Sequence, residues 1–156
     1  MKKIKNSKGF TLMEMLIVVA IIAVLIAIAI PTFTTSLNKA RVATDEANIR
    51  SGYASLMAEI LTNQYDVEAG TAAVAVDYYL QKDGTVMAAG ADATAAKANA
   101  YVCLGDSVKV KTGIEIAGHS VNSWTHGQYI KYIYTPAIEG SADADAGMSI
   151  EITPVD

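Results

Sequence analysis

Met15 to Ile30 are 16 consecutive apolar residues, with no polar face anywhere among them. Taken from Phe10 to Phe33 the stretch is 24 residues, about 36 Å as a helix, enough to cross a hydrocarbon layer of ~30 Å. Past Pro31 the pattern becomes amphipathic. Phe33, Leu37, Ala40, Ala43 and Ala47 recur at helical spacing, as do Ile49, Tyr53, Leu56, Met57, Ile60 and Leu61. Lys39, Asp45, Glu46, Arg50 and Glu59 are assigned to the opposite face. The prediction is an apolar helix half over 10–33 and an amphipathic half over 34–63. Pro31 allows either two helices or one kinked helix, because it removes an i→i−4 bond. Gly52 weakens the second half by about 1 kcal/mol without ending it. A helix from Phe10 to Asn63 is ~80 Å long. A head at 64–156 cannot cover that length, so the first half is expected to protrude into lipid or into other copies.

The remainder reads as a globular head. Residues 64–106 are rich in alanine and read as a connecting region that packs on the helix. Asp83-Gly84 marks a turn between Tyr78-Tyr79-Leu80 and Thr85-Val86-Met87. Asp92 is placed to cap a short helix reaching about Val102. Period-two alternation then predicts strands over Ser107–Lys111, Ile114–Ile116, Gln128–Thr135 and Met148–Thr153, with Thr112-Gly113 as a hairpin turn. The fold class is therefore α+β: a long N-terminal helix, kinked near Pro31, packed on an antiparallel sheet of about four strands within 107–156.

Charge changes the picture at one end. Residues 1–9 hold four Lys and no acid, while residues 10–156 hold 8 basic and 16 acidic groups. The leading lysines favour a cytoplasmic N-terminus. An acidic remainder argues against a phosphate-seeking surface, so charge gives no reason to expect a nucleic-acid partner. One cysteine, Cys103, excludes an internal disulfide framework and reads as a small core residue.

Three readings of the N-terminal segment compete. A secretory signal peptide would use Ala27-Ile28-Ala29 as its cleavage site, and a plain single-pass anchor would use the hydrophobicity alone. Neither accounts for Glu14, a carboxylate that costs roughly 2.5–3.5 kcal/mol in a membrane span and calls for a partner. The third reading supplies one. Lys8-Gly9-Phe10-Thr11-Leu12-Met13-Glu14 resembles the prepilin signal of type IV pilins and pseudopilins: a basic leader ending in Gly, then Phe, an acid at the fifth position after the Gly, an apolar run, and a proline at Pro31.

That resemblance implies a leader at 1–9, cleavage between Gly9 and Phe10 by a membrane prepilin peptidase, and N-methylation of Phe10. It implies a single-pass precursor in the cytoplasmic membrane, with the head outside, and then a helical filament of identical subunits on the cell surface. It further implies an assembly ATPase and a membrane platform protein as partners. Cleavage would expose a basic α-amine at the end of an apolar helix, where an unpaired charge costs several kcal/mol. Glu14, four residues on, can face its own Phe10 amine or that of an axially offset neighbour. Ala20, Ala23 and Ala27 form a small-residue side suited to close helix packing.

The other candidate chemistry is thin. His119 and His126 flank Trp124 and, with Glu115, raise a zinc site, but their spacing fits no common ligand pattern and they read as loop histidines. Asp143 and Asp145 alternate as calcium-loop carboxylates do, without the longer run of oxygen ligands. No phosphate loop, Gly-x-Ser-x-Gly or paired catalytic acid is present, so no enzyme and no cofactor are expected. The single cysteine departs from the many pilins that close a C-terminal loop with a disulfide. The function expected is a structural subunit of a type IV pilus. The alternatives are a pseudopilin of type II secretion or competence DNA uptake, and a monomeric membrane-anchored binding module.

Overall fold

The computed structural model describes residues 9–63, 74–90, 93–110, 113–136 and 149–156. Two compact units divide the chain, Met1–Leu37 and Asn38–Asp156. Helix α1, Leu12–Asn63, is continuous through both. Pro31 lies inside it rather than between two helices. The hydroxyls of Thr34 and Thr35 donate to the Pro31 carbonyl, and that of Thr32 to the Ile28 carbonyl, so the polar groups after the proline close on the helix itself.

The second unit contains β1 (Val76–Leu80), β2 (Val86–Ala88), a short helix α2 (Thr94–Ala98), β3 (Ile114–Ile116), β4 (His119–Val121), β5 (Tyr129–Thr135) and β6 (Ser149–Val155). They form one sheet in the order β2-β1-β5-β6-β4-β3. The α+β layout is the expected one, but the sheet has six strands rather than about four. It is also mixed, since β4 runs parallel to β6. β1 and β2 add the extra strands from the stretch read as a connecting region, joined across Asp83-Gly84 as the turn signal predicts. Ser107–Lys109 is a 3₁₀ turn instead of a strand. Its Ser107 is held inside, exchanging hydrogen bonds with the Trp124 backbone, so the local alternation of valines does not decide the conformation. The helix expected to reach about Val102 stops at Ala98, and Val102 instead bridges Tyr129. Asp92 and the Lys111-Thr112 half of the anticipated hairpin lie outside the described residues.

The core explains the geometry. β5 alternates buried and half-buried residues along its length. It places Ile130, Tyr132 and Tyr134 beside Tyr78, Leu80 and Ile152 on one face of the sheet. That face meets Val42, Ile49, Leu56 and Ile60 of α1. The spacing of seven, seven and four is one stripe of the helix. It differs from the expected stripe: Ala40, Ala43 and Ala47 are exposed, and Asp45 is fully buried. Gly52 lies in the buried stripe because a Cβ there would sit 2.4 Å from the Tyr132 hydroxyl and 2.5 Å from Leu80. The Tyr132 hydroxyl instead donates to the Ile49 carbonyl at 2.7 Å. On the other face Ala96 of α2 and Ala100, two residues past its end, pack on Tyr79.

Candidate functional site

Gly9, Phe10 and Thr11 precede the first helical residue, Leu12, so the Gly9–Phe10 peptide lies in non-helical backbone. Local chemistry sets that boundary. The Thr11 hydroxyl accepts from the Glu14 amide at 3.2 Å, and Glu14 Oε2 accepts from the Thr11 amide at 2.8 Å. This reciprocal pair is a capping box, which satisfies two backbone donors at a helix start. The Thr11 hydroxyl also donates to the same Oε2 at 2.8 Å. Glu14 Oε1 takes no hydrogen bond among the described residues. The carboxylate is therefore half committed to its own turn and half open.

Every residue from Gly9 to Leu37 is exposed, including Leu12, Ile21, Leu25, Ile28 and Phe33. Ala20, Ala23 and Ala27 are exposed with them, and Ala20 shares a shallow apolar groove with Leu16, Ile17 and Val24. By length and composition α1 can cross a membrane.

The remaining candidates do not assemble. His119 lies in β4, not in a loop; its ring is 5.5 Å from that of Tyr53, with Nε2 3.5 Å from the Tyr53 hydroxyl. His126 and Glu115 are exposed, and Trp124 is fully buried. Among the described residues no cluster of His, Cys, Asp or Glu could hold a metal. Asp143 and Asp145 lie outside the described residues. Cys103 is fully buried, and burial pushes its thiol up to about 12.

Two residues escaped the sequence. Thr11 was available as the first residue of a Thr-x-x-Glu capping pattern, but there it serves only as part of the processing motif. Asp45 gave no signal at all, since one acid in an amphipathic helix looks like surface. Its carboxylate accepts from the Tyr101 hydroxyl at 2.6 Å, the Leu104 and Gly105 amides at 2.9 and 2.8 Å, and Trp124 Nε1 at 3.0 Å.

The family comparison falls on the start of the helix and the residues before it. Residues 4–30 match the family described as the prokaryotic N-terminal methylation motif. The chain is 49% identical over 52 residues to the type IV narrow pilus major component PilA5 of Thermus thermophilus. That alignment covers 31% of this chain and 45% of the relative, so it spans less than half of the curated protein it matches. No solved structure matches the chain. Residues 4–30 thus carry the methylation motif, the chain is similar in part to a type IV pilin, and the layout of one long N-terminal helix and a C-terminal sheet is pilin-like.

Proposed function

We propose that this chain is the structural subunit of a type IV pilus filament. Prepilin peptidase removes residues 1–9 by cutting between Gly9 and Phe10, and Phe10 becomes N-methylphenylalanine. The apolar helix holds the precursor in the cytoplasmic membrane with the head outside. It then packs among identical copies in a helical filament on the cell surface, using an assembly ATPase and a membrane platform protein. The role is structural rather than enzymatic.

The observation that carries this reading is the run of exposed apolar residues headed by the processing motif. Apolar surface left in water costs about 25 cal/mol per Å², so the segment needs lipid or other copies around it. Both covers are apolar, and exchanging one for the other costs little. Glu14 Oε1 supports the charge-pairing role, being the carboxylate oxygen left open four residues after the position where a new Phe10 amine arises. Pro31 is the position at which the helix bends on packing. The Thermus thermophilus relative, a pilus major component, supports a pilus subunit over a pseudopilin.

Two measurements test it. The mass of the mature chain is expected to equal that of residues 10–156 plus one methyl group; an intact N-terminus, or one near Ile30, sinks the reading. Glu14→Ala is expected to be processed normally while sheared filament falls at least about tenfold, the least that one unpaired charge in an apolar core would cost. Normal filament yield from this variant removes the charge-pairing argument.

A further inference from the structure

We propose that the start of the second unit is a docking surface for anionic phospholipid headgroups, formed by Lys39, Arg41 and Lys109. The proposal rests on the membrane-anchored precursor described above and asks what the cations on the outer side of its span do. Chain order places Lys39 and Arg41 two and four residues after Leu37, where the exposed apolar stretch ends. Both are exposed, and neither makes an ion pair or hydrogen bond among the described residues.

The fold packs the turn that carries a third cation against Asn38 and Val42, the residues that flank them in sequence. Asn38 clasps the Asp106 backbone twice, Nδ2 to the carbonyl at 3.0 Å and Oδ1 from the amide at 2.9 Å. Gly105 approaches so closely that a Cβ on it would lie 2.7 Å from the Val42 amide nitrogen. Those contacts fix the 105–109 turn against the first turns of the unit, with Lys109 exposed on it. Lys109 pairs with Asp106 at 2.8 Å. Counted against Asp106 and the buried Asp45, which accepts from the Gly105 amide of the same turn, the three cations keep a surplus of one positive charge.

This surplus stands against the balance of the rest, since residues 10–156 carry twice as many acidic as basic groups. An acidic head tethered at an anionic leaflet is repelled by it, and the repulsion is short-ranged, falling off within a Debye length. Cations placed where the chain leaves the bilayer reverse the sign of the interaction at residues that chain connectivity keeps there. Long basic side chains also suit an interface, with apolar stems toward lipid and charged ends toward headgroups.

The test uses the full-length chain reconstituted in vesicles of phosphatidylcholine alone or mixed with phosphatidylglycerol. Acetylation rates of individual lysines are read by peptide mass. Lys39 and Lys109 are expected to react about fivefold more slowly in the anionic vesicles, the factor one cation contributes near such a surface. The exposed Lys82 of the β1–β2 turn serves as reference and is expected to be unchanged. The protection should vanish in about 1 M NaCl, where the screening length is ~3 Å. Arg41→Gln should reduce it at Lys39 to about twofold. Equal rates in the two vesicles overturn the proposal. So does protection found only in assembled filaments, which would assign the cations to acidic groups of a second copy. Retention in vesicles after an alkaline wash reports the span separately, so loss of the anchor and loss of headgroup binding are told apart.

Discussion

Glu14 and Asp45 are carboxylates of one helix, and they are satisfied in opposite ways. Glu14 is exposed and, among the described residues, its carboxylate is bonded only to Thr11, one turn away, through a single oxygen. Asp45 is fully buried and bonded by both oxygens to groups 56 to 79 residues distant in sequence. A carboxylate filled by its own fold has no capacity left for a partner, and its work is to fix structure. One left half open beside an apolar surface has capacity but no fold to support. The same charge therefore fits the proposed assembly element in one unit and is a structural pin in the other.

The largest effect expected from breaking this contrast comes from Asp45→Ala. It leaves two backbone amides, an indole N–H and a tyrosine hydroxyl without their acceptor, and unsatisfied buried groups cost about 1–3 kcal/mol each. Partial rehydration of Tyr101 offsets some of that, so a loss of about 4 kcal/mol is expected. Urea unfolding of the detergent-solubilised full chain, followed by Trp124 fluorescence, checks it. Glu14→Ala should shift the same transition by less than about 0.5 kcal/mol. If the two variants shift it equally, Asp45 is not a pin.

A second test, smaller near neutrality, uses pH. Burial pushes the Cys103 thiol up to about 12. Burial first, then the bond to Asp45, raises the Tyr101 phenol, and burial raises Tyr132. Each folded-state value lies above the unfolded one. The stabilisation is therefore complete below pH about 9 and is lost as pH rises through the folded values. The urea midpoint should be flat from pH 7 to about 9 and fall from there toward 12. Tyr101→Phe should flatten part of that fall, and a thiol reagent at pH 8 should leave Cys103 unmodified until the chain unfolds. A midpoint still flat at pH 11 contradicts the burial of these groups.

The two units were not equally legible. The apolar segment and its motif depend on residues within a few turns, so pattern and spacing suffice, and the family match falls on that stretch. In the head, β5 was legible because alternation runs unbroken from Tyr129 to Thr135. The helix face was not. Ala40, Ala43 and Ala47 match a helical period as well as the true stripe does, and only the sheet opposite decides which is covered. Asp45 and Gly52 look like a surface acid and a helix defect until the 101–105 segment and Tyr132 are laid against them. The 3₁₀ turn at Ser107 fails for the same reason, since its hydroxyl is claimed by Trp124, 17 residues on. What the sequence hid was in each case a contact between distant parts of the chain.

The smallest expected effect sharpens the Glu14 side. Thr11→Val keeps the β-branched shape but removes the hydroxyl that accepts from the Glu14 amide and donates to Oε2. The carboxylate keeps the Thr11 backbone amide, so only half of the capping box is lost. Replacing an N-cap hydroxyl residue costs about 1 kcal/mol of helix stability. That loss is confined to the first turn, because the fold of the second unit does not depend on Thr11. Amide exchange in detergent should therefore speed up about fivefold at Met13 and Glu14, with no change at Ile49 or Leu56. Thr11→Ser should restore the original rates. Faster exchange spreading into the second unit would show that the two carboxylates are coupled along the helix, and the contrast between them would have to be abandoned.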